Sequence, residues 1–208
     1  MSTIVSDEIK TTSPPRFATE EEFEAWCNED TKADYVDGEI SVMTPESTLN
    51  SLSEARIGGL LEIVVGNNDL GFVFNSGVVQ VRLRSGLRRN PDVMFVQKSR
   101  AHIIRENYID GAPDLVMEFV SPESSIRDWQ EKFAEYEAIG VPEYWIIDRH
   151  QRRYAAYYLG DDRSYHPIAP QEGKLFSHVV PAFWIKIEWL WRAPPLYAVE
   201  MAREIGII

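Results

Sequence analysis

The sequence predicts an α/β fold in which a mixed β-sheet core is flanked by helices and carries extra β-hairpins. An apolar strand over 114–120, a helix over about 127–139 and a second strand over 142–148 follow one another, and this order favours a right-handed crossover and a parallel strand pair. Alternating residues around the turn pair Asp37-Gly38 indicate a hairpin. A chain of 208 residues with 44% hydrophobic content suits one core.

The N-terminal region contains recognisable signals for where its elements begin. Residues 1–16 are polar and show no periodicity, which predicts a flexible tail, and we expect a single domain with a C-terminal helix over 17–208. Thr19 followed by Glu22 has the spacing of a capping box and opens a short helix. The hairpin is predicted over 34–43.

The next element is a long amphipathic helix over about 48–65. Its apolar residues recur at helical spacing and form one stripe: Ile57, Leu60, Leu61 and Val64. At 100° per residue Asn50 falls inside this stripe and Glu54 falls beside it. We therefore expect these two polar side chains to face something polar.

The middle of the chain is rich in strand patterns. We predict strands over 71–83 and 91–96, joined by the turn around Ser85-Gly86, and a loop with a short helix over 97–111. Further strands are predicted over 153–159 and 165–169.

The C-terminal region combines an aromatic cluster with a closing helix over 196–205. The cluster contains Trp184, Trp189 and Trp191. Such clusters either complete a core or form a subunit contact, and both alternatives stay open at this point.

Composition limits the partners. The net charge of −12 opposes strong nonspecific binding of nucleic acid, because such binding depends on Lys and Arg neutralising phosphates. The local exception is a basic cluster that we interpret first as a solvated hairpin: Arg82, Arg84, Arg88 and Arg89. The single Cys27 excludes an internal disulfide, and no apolar stretch approaches the length of a membrane span, so we expect a cytoplasmic protein without a membrane partner.

Two acidic residues accompany apolar strands. Asp92 follows Pro91 at the start of one strand, and Glu118 lies near the end of another. A buried carboxylate is costly unless a cation or a hydrogen-bond donor meets it. Two carboxylates with backbone carbonyls and water suit Mg²⁺ or Mn²⁺, and hydrolysis of a phosphodiester is a natural use of such an ion.

A cation is also expected near the metal. Position 120 is Val, so a Glu-x-Lys motif is absent, and Lys132 on the following helix is the candidate replacement. The alternative is that Lys132 only forms a helical i,i+4 salt bridge with Asp128.

Three other carboxylates have ordinary structural interpretations beside the functional one. Asp114 suits the start of a strand, Glu39 an exposed hairpin position, and Asp148 a turn, although each could also line a site.

These residues together resemble the Uma-two (Uma2) family, and the resemblance covers roughly residues 17–190. The residues that carry it are Asp37-Gly38-Glu39, Pro91-Asp92, Pro113-Asp114-Leu115-Val116-Met117-Glu118-Phe119-Val120-Ser121-Pro122, Asp128, Lys132, Tyr136 and Gly140-Val141-Pro142-Glu143-Tyr144-Trp145-Ile146-Ile147-Asp148. The family was long classed as a domain of unknown function, and its members look like divergent restriction endonucleases of the PD-(D/E)XK type. The resemblance therefore implies a restriction-endonuclease-like fold.

The resemblance also implies roles for individual residues. Asp92 and Glu118 would bind Mg²⁺ or Mn²⁺ with Phe119, and Lys132 would stand for a catalytic lysine that has moved from strand to helix. Glu54 would be an additional acidic site residue. Many relatives have a His near the start of the long helix, where this sequence has Asn50 and Ser51, so a step that depends on His is not expected.

The leading hypothesis is a metal-dependent nuclease that hydrolyses phosphodiester bonds of nucleic acid, with DNA the first choice of substrate and a homodimer implied by the resemblance. The alternative is a catalytically inactive nuclease-like fold that serves as a binding or assembly protein. The acidic composition favours the alternative, and the presence of Asp92, Glu118 and Lys132 favours the nuclease.

Overall fold

The computed structural model describes residues 16–27, 33–42, 47–75, 79–122, 124 and 126–208, so the predicted tail lies outside the described residues except for Arg16. The α-helices are α1 (Glu20–Trp26), α2 (Thr48–Asn67), α3 (Lys132–Ile139) and α4 (Ala198–Glu204). The strands are β1 (Ala33–Val36), β2 (Glu39–Val42), β3 (Gly71–Asn75), β4 (Gln80–Arg84), β5 (Leu87–Arg89), β6 (Val93–Gln97), β7 (Tyr108–Asp110), β8 (Leu115–Phe119), β9 (Glu143–Asp148), β10 (Arg153–Leu159), β11 (Tyr165–Pro167), β12 (Lys174–Phe176) and β13 (Trp184–Lys186).

The main sheet has the order β11-β10-β9-β8-β6-β3, and its only parallel pair within the described residues is β8 with β9. The crossover between these two strands runs through a π-type turn, Arg127–Glu131, that continues directly into α3. Gly140 ends α3 in the left-handed conformation, with φ of 91°. The mixed α/β architecture and the parallel pair predicted from the strand–helix–strand order are confirmed.

The two faces of the main sheet are covered differently. One face packs against α2 and the C-terminal region, in a core that includes Leu61, Phe95 and Trp145. The other face packs against α3 and the second sheet, in a core that includes Val116 and Tyr136. Side chains alternate between the faces along each strand, so Glu118 shares the α3 face with Val116.

The second sheet has the order β2-β1-β5-β4-β7, and here the structure corrects one prediction. The segment predicted as a strand over 71–83 contains β3, which pairs with β6 in the main sheet, and β4, which pairs with β5 and β7 in the second sheet. The turn at Ser85-Gly86 therefore joins β4 to β5 and not to the strand that follows Asp92. Residues 76–78, between β3 and β4 in the sequence, lie outside the described residues.

The basic cluster near this turn is not a fully solvated hairpin. The side chains of Arg88 and Arg89 are only 3% and 2% exposed, respectively, whereas Arg84 is 48% exposed. Arg88 Nε donates to Glu20 of α1 at 2.5 Å. Burial of a guanidinium requires a carboxylate partner, and both buried arginines have one, so this cluster supplies little free positive charge.

Other local predictions are confirmed. The capping box of Thr19 and Glu22 is present, and β1 and β2 form the predicted hairpin around Asp37-Gly38, although Met43 at its predicted end lies outside the described residues. Trp189 is buried in the main core, and Trp184 and Trp191 pack against it, so the aromatic cluster completes the core. No helix of the described part of the chain is both long and apolar enough to cross a membrane.

Candidate metal centre

The strand pairing sets Asp92 opposite Glu118. Val93 of β6 pairs with Met117 of β8 in antiparallel register, and continuing that register by one residue places Asp92 across from Glu118. The Asp92 carboxylate then accepts a hydrogen bond from the backbone N–H of Phe119, with 2.8 Å between Oδ2 and N. The predicted convergence of the two acids at one sheet edge is thus observed.

Glu118 is buried and has a specific donor at each carboxylate oxygen. Lys132 Nζ lies 2.8 Å from Oε2, and the Tyr136 hydroxyl donates to Oε1 at 2.9 Å. Lys132 opens α3 and Tyr136 lies one turn later, so both side chains reach the same face of the main sheet. The helix thereby delivers a cation and a hydroxyl to the end of β8.

Lys132 also contacts Asp128, at 3.0 Å between Nζ and Oδ1. The two interpretations of Lys132 from the sequence are therefore both observed: the i,i+4 salt bridge exists, and the ammonium reaches Glu118 as well. Asp128 is buried in the π-type turn, and its other oxygen accepts from the Ser124 hydroxyl.

Electrostatics at this cluster reflect an excess of buried acid. Burial first, and then the charges of Asp92 and Asp128, raise the pKa of Glu118 to about 8 against the opposing effect of Lys132. Burial disfavours the charge on Lys132, but Glu118 and Asp128 hold its pKa above the ordinary value. Lys132 therefore stays protonated, and the Glu118 carboxylate remains in competition for a proton near neutral pH.

The start of α2 completes the surroundings. Asn50 Nδ2 donates to the carbonyls of Phe119 and Val120, both at 3.2 Å, which confirms that this polar residue in the apolar stripe faces polar groups. Glu54 is buried one helical turn further along the same face. The backbone end of β8 is thus clamped between α2 and Asp92.

A second buried network lies beside this cluster. Asp34 of β1 is fully buried and accepts from Arg89 Nη1 at 3.0 Å, and Arg89 also makes two hydrogen bonds to Glu135 of α3, at 2.7 and 2.6 Å. Burial alone would raise the pKa of Asp34, but Lys132, Arg89 and Arg127 lower it below its ordinary value. The network ties the second sheet to the helix that carries Lys132.

The residues fit a hydrated hard cation. Within the described residues no group of three or more His, Cys, Asp or Glu side chains is arranged to hold a metal. Mg²⁺ usually keeps several waters and needs only one or two carboxylates, the number that Asp92 and Glu118 would supply. The pKa of Glu118 is raised first by burial and then by its acidic neighbours, and a bound cation would oppose the shift.

The other carboxylates weighed from the sequence have structural partners. Asp114 accepts from the Gln97 N–H and from Arg100, both at 2.8 Å, and Asp148 accepts from the Gln151 N–H at 2.9 Å. Glu39 is exposed and pairs with Arg16. Their turn, strand-start and surface interpretations are confirmed.

Sequence reasoning missed three contributors: Asp34, Arg89 and the Tyr136 hydroxyl. Asp34 and Arg89 lie 55 positions apart, so no local spacing relates them. The available signal was the acid Asp34 in the short and otherwise mostly apolar strand β1, because a buried carboxylate needs a cationic partner. Tyr136 was named among the residues that carry the family resemblance, without a role for its hydroxyl.

Comparison with known proteins finds a matching family model and a solved structure of similar fold. A family model described as "Putative restriction endonuclease" matches residues 20–188. The crystal structure of a putative nuclease belonging to DUF820 from Anabaena variabilis ATCC 29413 is similar with a TM-score of 0.67, at 17% sequence identity, over 86% of this chain and 99% of that one. At this identity the likeness shows the fold alone. No curated protein matches the chain.

Proposed function

The chain belongs to the Uma2 family of putative restriction endonucleases, and from this premise we propose that it is a metal-dependent nuclease that hydrolyses phosphodiester bonds of nucleic acid. The observation that carries the proposal is the contact between Lys132 Nζ and Glu118 Oε2 at 2.8 Å, at the strand end where Asp92 lies opposite. Two acids that can hold a metal, with a fixed cation beside them, form an arrangement suited to metal-dependent phosphoryl transfer. DNA is the proposed substrate.

The residue roles follow from position. Asp92 and Glu118 would hold Mg²⁺ or Mn²⁺ with the Phe119 carbonyl, and Glu54 would complete the acidic surroundings from α2. When bound, the metal polarises a phosphoryl oxygen and lowers the pKa of water. Asn50 holds the Phe119 carbonyl in place, and Asp92 holds the Phe119 N–H, so the end of β8 is fixed on both sides.

Lys132 would act as the positioned cation. Its ammonium is held by Glu118 and Asp128, so little reorganisation is needed when negative charge develops on a phosphate at this edge. Tyr136 orients the Glu118 carboxylate through its hydroxyl. The chemistry of the proposed site would therefore be built from β8, the strand start at Asp92 and α3.

The proposal is tested by cleavage assays on supercoiled plasmid, single-stranded DNA and single-stranded RNA, with Mn²⁺, Mg²⁺ or EDTA. The unmodified protein should cleave plasmid DNA only when a divalent metal is present. Asp92→Asn and Glu118→Gln should each lower the rate at least ~10²-fold, since each removes a metal ligand. Glu39→Gln, an exposed acid of the β1–β2 hairpin, is the matched control and should keep the full rate.

A plasmid that stays intact with every metal, or a Glu118→Gln variant that cleaves as fast as the unmodified protein, would overturn the proposal. Cleavage of RNA but not DNA would support the proposed phosphodiester hydrolysis and would replace DNA by RNA as the substrate.

One observation favours a second function, that of an inactive nuclease-like binding or assembly protein. Both oxygens of Glu118 already have protein donors, and the Phe119 carbonyl already accepts from Asn50. A site satisfied in this way folds without a metal. If no substrate is cleaved, this internally neutralised cluster is a structural device, and a search for protein partners becomes the next step.

A further inference from the structure

The turn between β9 and β10 concentrates positive charge in an acidic protein. We call residues 149–153 the basic turn; its sequence is Arg149-His150-Gln151-Arg152-Arg153. His150, Arg152 and Arg153 are exposed, and Arg149 is half-buried. The chain as a whole carries a net charge of −12, so a run of this kind is not explained by average composition.

The basic turn lies at the edge of the main sheet where the candidate metal centre lies. β8 and β9 are parallel, with Glu118 paired to Ile146, so both strands end at the same edge. Arg149 is three residues beyond that level. At about 3.3 Å per residue and about 4.8 Å between strands, its Cα lies about 11 Å from that of Glu118. The Arg149 side chain itself is held by the carbonyls of Leu190 and Arg192, in the C-terminal region, whereas Arg153 reaches Trp129 beside α3.

A direct contact joins the basic turn to the helix of the site. The Arg153 guanidinium carbon lies 4.3 Å from the centroid of the Trp129 ring, and Trp129 follows Asp128, the partner of Lys132. Arg153 also pairs with Asp148 at 3.0 Å. These contacts fix the orientation of the turn relative to the metal centre.

The positive charge of this region is poorly neutralised. In the described part of the chain neither Arg149, Arg152 nor Arg192 forms an ion pair with a carboxylate, and Arg149 instead donates to the carbonyls of Leu190 and Arg192. Burial lowers the pKa of Arg149, and the like charge of Arg152 lowers it further. Positive groups that repel one another at a sheet edge favour an anion there.

We propose that the basic turn, together with Arg192, binds the phosphodiester backbone of the nucleic-acid strand that enters the candidate metal centre. The inference rests on the proposed nuclease function and adds the surface that holds its substrate. The arginine cluster of the β4–β5 hairpin cannot bind nucleic acid with all its members, because Arg88 and Arg89 are buried against carboxylates. The basic turn supplies positive surface at the sheet edge of the candidate metal centre in a chain that is acidic as a whole.

The chain offers a matched pair of variants. Arg152 and Arg163 are both exposed arginines in β-turns, with φ of 50° and 61°, so the same substitution is equally tolerated by the backbone at each. Arg163 lies near Gly140, at the opposite end of β9 from the basic turn. Arg152→Gln and Arg163→Gln thus remove the same charge from the two ends of the main sheet.

The experiment measures binding of a fluorescein-labelled 20-nucleotide single strand, and of the corresponding duplex, by anisotropy in EDTA over a range of salt concentrations. EDTA prevents metal-dependent cleavage, so binding is observed alone. Arg152→Gln should weaken binding several-fold and make the logarithmic salt dependence shallower by about one unit, and Arg152→Gln/Arg192→Gln should weaken it about tenfold. Arg163→Gln should bind like the unmodified protein.

Equal loss in Arg152→Gln and Arg163→Gln would mean that only the overall charge matters, and it would overturn the proposal. Unchanged binding by the double variant would overturn it too, while metal-dependent cleavage by that variant would leave the nuclease function standing. An unmodified protein that binds neither probe would also refute the surface; the cleavage assay, which does not involve this comparison, decides the nuclease function separately.

Discussion

Replacing Lys132 with methionine is expected to lower the rate of metal-dependent phosphodiester cleavage at least ~10²-fold, without weakening the binding of a divalent metal. Methionine keeps the length of the side chain and removes its charge. The ammonium lies 2.8 Å from Glu118 and 3.0 Å from Asp128, so the variant loses the cation proposed to stabilise the developing phosphate charge. The carboxylates proposed to bind the metal remain, and the loss of the ammonium removes a positive charge that would repel the metal.

The same variant should lose stability, because Glu118 and Asp128 stay buried without their cation. Removing one partner of a buried ion pair typically costs about 3–5 kcal/mol. Mn²⁺ should restore part of this loss by binding only the folded state. Thermal unfolding with and without Mn²⁺ measures the effect, and Lys98→Met, a surface lysine that pairs with Asp69, serves as the control.

Full cleavage activity in Lys132→Met would contradict the catalytic role and leave only the salt bridge with Asp128. Should the methionine variant unfold, Lys132→Arg is the variant to compare. Arginine retains the positive charge, but its planar guanidinium cannot reproduce the position of a compact ammonium, so the cleavage rate should again fall.

Replacing Arg89 with methionine should destabilise the folded protein by about 3–5 kcal/mol. Arg89 is 2% exposed and joins Asp34 of the second sheet to Glu135 of α3. Among the described residues, its loss leaves the fully buried Asp34 carboxylate with Arg127, 3.6 Å away, as its remaining ion-pair partner, together with the nearby charge of Lys132 and hydrogen bonds from Asn90. Since α3 carries Lys132, the same change should also displace the metal centre.

Denaturant unfolding of Arg89→Met against Arg84→Met measures this contribution. Arg84 lies in the same β4–β5 hairpin and pairs with Asp37, but both partners are exposed, so its loss should change the free energy of unfolding far less. Similar losses in the two variants would contradict the idea that Arg89 joins the layers of the fold.

The sequence predicted those features that depend on local spacing or on a carboxylate in an apolar strand. The capping box of Thr19 and Glu22 is a short-range pattern, and the structure contains it. Asp92 and Glu118 stood out because acids rarely accompany strands so apolar, and the register of β6 and β8 brings them together. The polar contact of Asn50 was predictable for the same reason.

The features that the sequence did not predict depend on distant partners. The division of 71–83 between two sheets is decided by pairing with strands elsewhere in the chain, and an alternating pattern does not show where the chain changes sheet. The burial of Arg88 and Arg89 depends on carboxylates far away in sequence. Propensity and periodicity contain no information about such pairs.

The central claim is that Asp92 and Glu118 bind a divalent metal, and titration calorimetry with Mn²⁺ tests it most directly. The unmodified protein should bind, Asp92→Asn and Glu118→Gln should not, and the affinity should rise from pH 6 to pH 8. The sign follows from the pKa of Glu118, which is raised to about 8: below that pH the metal must displace a proton, at a cost of up to about tenfold in affinity per pH unit. The account would be contradicted if the unmodified protein did not bind Mn²⁺, or if both variants bound Mn²⁺ as tightly as the unmodified protein.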